Sequence, residues 1–207
     1  MTGIADKIMR RARSRGRGRW VCAAKDFLDL GGRAAVDQAL SRLMKAGKLR
    51  RVGRGLYDLP RMSRILGSPA PVDIDAAVAA VARRDSIRIM PDGMVAANQL
   101  GLTNAVPARA SFITDGATRT VKIGGGTIRL RHAGPGVMHW AGKRSAPVFL
   151  ALRWLGRRAG QDPRVAAILC RRLPDDVKRD LSRHSRHLPG WAAPIARAVA
   201  GGRTAAA

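Results

Sequence analysis

The chain predicts an α+β protein: an N-terminal winged helix-turn-helix, then an α+β domain with a small antiparallel sheet and a helical C-terminal end. Three observations predict it. Residues Arg33 to Ala46 carry apolar side chains at helical spacing and run directly into a glycine and a short basic hairpin pattern. Runs of period-two alternation lie between residues 110 and 132, and from Ala146 onward the pattern is helical.

Ile4 to Arg13 reads as a short basic helix, and Arg15 to Trp20 (RGRGRW) as a Gly-rich arm or loop. Trp20 and Val21 read as a short strand. Ala24 to Leu30 (AKDFLDL) reads as a second helix stopped by Gly31 and Gly32. Along Arg33 to Ala46, steps of about 100° per residue place Val36, Ala39, Leu40 and Leu43 on one face. Ala34, Gln38, Ser41 and Lys45 fall on the opposite face, flanked by Asp37 and Arg42. The first face is core and the second is a polar reading surface. Gly47 ends the helix, Lys48 to Val52 forms a strand, Gly53-Arg54-Gly55 a tight turn, and Leu56 to Leu59 the returning strand.

This order suits DNA, because a helix fits the major groove and a hairpin reaches the flanking backbone. Gln38 has the donor and acceptor pair for adenine, Arg42 or Lys45 the donors for guanine, and Ser41 fits either. Arg50, Arg51 and Arg54 on the wing would meet phosphates or probe the minor groove.

Leu66 to Val72 (LGSPAPV) is small and Pro-containing, so the expected domains are residues 1–66 and 67–207. Asp73 is an N-cap for a helix from Ile74 to Arg83. Ser86 to Met90 alternates like a strand, and Asp92 caps a helix that reaches about Leu100 and ends at Gly101. Ala110 to Thr114, Thr118 to Ile123 and Thr127 to His132 read as strands, separated by Asp115-Gly116 and by Gly124-Gly125-Gly126. Helices are expected over Ala146 to Arg158, Asp162 to Arg172, Pro174 to His184 and Trp191 to Ala200.

Among 207 residues stand 32 Arg, 7 Lys, 14 Asp and no Glu, a formal charge of +25. The first 66 residues carry +12, residues 67–142 carry +3, and residues 143–207 carry +10. Such polarised basicity attracts polyanions and makes nucleic acid the leading partner class. The same Arg-rich, Lys-poor usage is also what a GC-rich genome produces. Cys22 and Cys170 are too few for a disulfide framework and fit a reducing cytosol. Ala146 to Gly156, the longest apolar stretch, is broken by Arg153 and falls short of the roughly 20 residues a membrane span needs. No secretory signal is expected, although MTGIADKIMRRARSR has the composition of an Arg-rich transit peptide.

The run KDFLDLGGRAAVDQALSRLMKAGKLRRVGRGLYDLPR (Lys25 to Arg61), followed by PDGMVAANQLGLTNAVPARASFITDGATRTVKIGGGTIRLRHA (Pro91 to Ala133), resembles the AbiEi-type antitoxins of type IV toxin–antitoxin pairs. The Gly101-Leu102-Thr103 and Val106-Pro107 steps, Phe112 to Gly116, and the Gly-rich turn before IRLRH carry most of the likeness, which covers roughly residues 20 to 170. The resemblance implies a winged helix that binds operator DNA and represses its own operon, and a second domain that counters a nucleotidyltransferase-like toxin. Its DNA-reading positions fall on Arg33, Ala34, Asp37, Gln38, Ser41, Arg42 and Lys45 of the helix and on Arg50, Arg51 and Arg54 of the wing. With no dimerisation heptad, a monomer or weak dimer is expected, with two copies placed on an inverted repeat.

Catalytic signals are sparse. Gly67-Ser68 ahead of Asp73-Ile74-Asp75 superficially resembles a nucleotidyltransferase site, but the parts are crowded into a Pro-containing linker and Asp73 already serves as a cap. Asp175-Asp176 suits a helix N-terminus. His184 and His187 lack further ligands at metal spacing, and His132 and His139 lack a nucleophile partner. The glycines at 124–126 have no following Lys-Ser/Thr, so there is no P-loop. Trp140, Phe149, Trp154 and Trp191 read as core or interface. The expectation is a non-enzymatic cytoplasmic protein without cofactor or metal; the rival classes are a non-sequence-specific basic DNA- or RNA-binding protein and, behind it, a nucleotidyltransferase.

Overall fold

The computed structural model describes residues 3–65, 67–106 and 110–201. Leu66 of the expected linker and Pro107 of the Val106-Pro107 step lie outside the described residues, as do Met1 and Thr2 of the Arg-rich leading segment. The protein is α+β, and the chain divides into two compact units: Met1–Ile89 with Thr118–Leu130, and Met90–Ala117 with Arg131–Ala207.

In the first unit α1 (Ile4–Ser14), β1 (Val21–Cys22), a 3-10 turn (Ala24–Phe27), α2 (Arg33–Lys45), β2 (Arg50–Gly53) and β3 (Leu56–Asp58) follow in order. The strands make an antiparallel sheet ordered β1-β3-β2, with Cys22 and Arg51 both opposite Tyr57 and a register shift between Arg51 and Gly53. This is the winged helix-turn-helix arrangement, with the β2–β3 hairpin as the wing. Its core takes Ile8, Met9 and Ala12 from α1 and Val36, Ala39, Leu40 and Leu43 from α2, around a fully buried Phe27. Burying a side chain of this size stabilises by roughly 1.5–3 kcal/mol, so the apolar stripe of α2 determines which of its faces is left outward. Cys22 is sealed among these residues, and burial pushes its thiol up to about 12.

The segment AKDFLDL, expected as a full helix, is a single 3-10 turn followed by a bend. Seven residues ahead of two glycines are too few to sustain a helix alone, and its acids are engaged elsewhere. The Asp26 carboxylate accepts from the Ala23 N–H at 2.9 Å, and Asp29 accepts from the two terminal guanidinium nitrogens of Arg11.

The first unit also contains α3 (Ile74–Asp85) and the hairpin of β6 (Arg119–Ile123) with most of β7 (Gly126–His132). Composition placed the division at residue 66, so the compact units are drawn differently from the expected domains. The reason is a set of specific ties. Arg83 on α3 donates to Asp26 at 2.8 Å and to the Val21 carbonyl at 2.8 Å, and the Gly124 N–H donates to the Val52 carbonyl at 2.8 Å. Arg50 also donates to the Ala70 carbonyl, which ties the linker expected from sequence to β2. Asp73 caps α3 as expected, accepting from the Ala76 N–H at 3.0 Å. Ser86, at φ 55°, ends it, so the strand expected from Ser86 shortens to β4 (Ile89–Pro91).

In the second unit α4 (Gly93–Gln99) packs on α6 (Ala146–Leu155). A Cβ on Gly93 would come within 2.6 Å of the Leu150 carbonyl, so this close approach requires glycine. β5 (Ser111–Thr114) and the last residues of β7 lie beside them, joined where the Ala133 N–H donates to the Thr114 carbonyl at 2.8 Å. Trp140 is fully buried and stacks on Phe149 with centroids 4.6 Å apart. α7 (Pro163–Arg172), α8 (Asp175–Arg183) and α9 (Ala193–Ala200) form the helical end. The helix expected to run to Arg158 stops at Leu155, because Gly156 turns to φ +75°. A short helix α5 (Pro135–Met138) had no periodic signal; Pro135 at its first position is the only mark it leaves in the sequence.

Candidate nucleic-acid interface

Burial of Val36, Ala39, Leu40 and Leu43 leaves Arg33, Ala34, Asp37, Gln38, Arg42 and Lys45 of α2 exposed, with Ser41 half-buried between them. The structure thus brings together all seven helix positions singled out by sequence. Arg33 and Asp37 form an i,i+4 ion pair at 2.7 Å, exposed on both sides and therefore weak. Gln38, Arg42 and Lys45 have no side-chain partner among the described residues, so their hydrogen-bonding groups face outward unsatisfied by protein. Arg42 and Lys45 in the last turn also favour the negative end of the helix.

The three wing arginines have different surroundings. Arg54 stands exposed at the tip beside Gly55, whose φ of +64° closes the turn. Arg51 is exposed and makes only a long contact, 3.4 Å, to the Gly53 carbonyl. Arg50 points inward: its guanidinium grips Asp58 through two contacts of 2.9 and 2.5 Å and donates to Ala70 at 2.8 Å. Asp58 is only 2% exposed, and its hydrogen bonds hold the Arg50 guanidinium above its usual value. Arg50, expected to meet phosphate, is therefore a brace inside the unit, because β2–β3 pairing sets it directly opposite a buried acid.

A second brace has no motif in the sequence. Arg84 donates to the Arg54 carbonyl at 2.5 Å and holds Asp85 with contacts of 2.7 and 2.8 Å, while Arg119 takes the same carboxylate at 2.6 Å. The hydrogen bonds from Arg84, ahead of the Arg119 charge, hold Asp85 below the usual carboxylate value. This chain ties the wing tip to α3 and to β6. Arg54, the adjacent Arg84 and Asp85, and Arg119 are far apart in sequence, so only folding brings them together.

Asp73 is a cap and Asp75 stands exposed beside it. In the second unit a cavity of about 420 Å³ is lined by Asp92, Arg131, His132, Arg153 and Trp154. Asp92 accepts from Met94, Ser111 and Arg131, at 3.2, 3.3 and 2.9 Å. His139, set apart in the sequence from the His184 and His187 pair, joins it: the His139 and His187 centroids are 4.2 Å apart, and His139 and His184 6.2 Å. Desolvation, with the charges of His187 and Lys143, pulls His139 below the ordinary imidazole value. No group of three His, Cys, Asp or Glu side chains is placed to hold a metal among the described residues.

One family model matches the chain, that of the Family of unknown function (DUF6088), over residues 5–173. No curated protein and no solved structure matches it.

Proposed function

The chain belongs to the DUF6088 family, and we propose that this member is a sequence-specific DNA-binding repressor of its own operon. α2 reads bases in the major groove and the wing holds the adjacent backbone. The observation that carries this reading is the outward face of α2: Gln38, Arg42 and Lys45, exposed and without a side-chain partner among the described residues, in a unit whose wing presents Arg51 and Arg54. Gln38 matches adenine, Arg42 or Lys45 guanine, and Ser41 either. The interface is charge-selected as well. The first unit carries 23 basic and 8 acidic side chains, +15 in all, which favours a polyanion.

The second half of the proposal rests on the likeness to AbiEi-type antitoxins: the other unit counters a nucleotidyltransferase-like toxin encoded beside it, without catalysis of its own. No described helix is long and apolar enough to cross a membrane, and we place the action in the cytoplasm, on operator DNA, as a monomer or weak dimer bound in two copies to an inverted repeat.

The test is a gel shift on the DNA upstream of the protein's own reading frame, beside a scrambled duplex of equal composition. Gln38→Ala and Arg42→Ala should each weaken binding to the native duplex by about 1–3 kcal/mol with less effect on the scrambled one. Arg54→Ala should weaken both. Indifference to all three would overturn the reading surface, and equal wild-type affinity for both duplexes would favour a non-specific basic binder. Co-expression with the neighbouring reading frame tests the antitoxin half: no rescue of growth would end it.

A further inference from the structure

Beyond the wing, a second hairpin presents itself in the same unit. β6 and β7 pair with Thr120 opposite Arg129 and Lys122 opposite Thr127. Their other face carries Val121, Ile123, Ile128 and Leu130; the last three are buried and Val121 is half-buried. Period-two alternation therefore leaves Thr120, Lys122, Thr127 and Arg129 exposed on one polar face. Neither Lys122 nor Arg129 has a carboxylate partner among the described residues.

The hairpin tip is joined to the wing. The Gly124 N–H donates to the Val52 carbonyl at 2.8 Å, and Gly53 lies so close to the Lys122 carbonyl that a Cβ there would stand 2.8 Å from it. Between the two hairpins runs an open hollow lined by Arg51, Arg54, Lys122, Gly124, Gly125 and Thr127. Three cations and no acid border it, and the Arg119–Asp85–Arg84 chain fixes hairpin and wing tip to the same helix.

We infer that the β6–β7 hairpin is a second wing, whose Lys122 and Arg129 extend the cationic surface of Arg51 and Arg54 along the phosphate backbone of duplex DNA. The inference rests on the DNA-binding reading above and deepens it. Continuity with the first wing argues for the duplex as occupant: whatever backbone lies against Arg51 and Arg54 meets Lys122 next. Backbone contact of this kind positions the protein and adds affinity without reading sequence.

The experiment measures affinity against salt for the native upstream duplex and its scrambled counterpart, with wild type, Lys122→Gln/Arg129→Gln, the charge-preserving exchange Lys122→Arg/Arg129→Lys, and Gln38→Ala. Loss of two phosphate contacts should lower the salt slope by about 1.8 on both duplexes and weaken binding at least tenfold near 0.1 M salt, roughly. The exchange should keep the wild-type slope, and Gln38→Ala should narrow discrimination at unchanged slope. An unchanged slope in the double Gln variant, with an unchanged melting temperature, overturns the second wing and leaves the repressor reading standing. Failure of the wild type to bind either duplex overturns both.

Discussion

Two arginines four residues apart on one hairpin have opposite tasks. The Arg50 guanidinium is locked on Asp58, which is almost fully buried; that of Arg54 projects from the tip with only its backbone carbonyl held, by Arg84. Removing Arg50 leaves a carboxylate in a low-dielectric site without its counter-charge. We expect Arg50→Ala to destabilise the protein by about 3 kcal/mol, the low end for a broken buried pair because Arg50 is itself about a quarter exposed. Arg54→Ala should change stability by less than about 0.5 kcal/mol, as surface substitutions do, while weakening DNA binding. Chemical denaturation and gel shifts on the two variants separate the roles; equal stability in both would refute the brace. Arg50 and Arg54 are indistinguishable in the sequence, since each is an arginine in a basic hairpin. What divides them is the residue across the ladder, which depends on register.

At the scale of elements, the turn of the second hairpin shows how backbone and packing demands separate. Gly124 and Gly125 have φ of +58° and +88°, the all-positive pair of a two-residue type I′ turn. A Cβ on Gly125 meets nothing, whereas on Gly124 it would stand 2.8 Å from Val72. Gly125→Ala should cost only the left-handed strain, roughly 1–2 kcal/mol, and Gly124→Ala clearly more; thermal melts that rank them the other way would show the tip is not docked as described. This turn was legible from three successive glycines between alternating runs. So was α2, because the spacing of Val36, Ala39, Leu40 and Leu43 is a local property of the chain. The short turn at Ala24–Phe27 and the helix at Pro135–Met138 were less legible, since elements of one turn are defined by tertiary ties such as Arg11 to Asp29 and not by period. The helix face of the candidate site could be read for the same reason as α2. The positioning chain through Arg84, Asp85 and Arg119 could not, since the Arg84–Asp85 pair meets Arg54 and Arg119 only in space.

For the whole molecule, the excess of arginine has two destinations: +15 on the unit with the winged helix, and +10, from 16 basic and 6 acidic side chains, on the other. Several of the scarce acids are committed to ion pairs, and stability should follow them in pH. Hydrogen bonds from Arg84 hold Asp85 low, and those from Arg144 hold Asp176 low, so their contributions are present above the ordinary carboxylate value of 3.8 and fade as pH falls below it. His139 is a base whose value is lowered by desolvation and then by the charges of His187, Lys143, His184 and Arg186. Its contribution is present above 6.5 and is lost as pH falls, because the unfolded chain takes up the proton more readily. Thermal melts at descending pH should therefore decline first as pH falls below 6.5, and His139→Gln should flatten that first decline; an unaltered profile would exclude a contribution from His139.

The first unit is discontinuous in sequence, since it is completed by residues Thr118–Leu130. On a ribosome adding about 5–20 residues per second, the brace for the wing emerges several seconds after the wing itself. A chain that ends between residues 90 and 117 carries α2 and the Arg54 tip but lacks the hairpin turn whose Gly124 N–H holds the Val52 carbonyl, and the Arg119 anchor of Asp85. Completion of the wing's scaffold is thereby made to wait for more than half of the polypeptide, so a prematurely terminated product lacks part of what holds the wing.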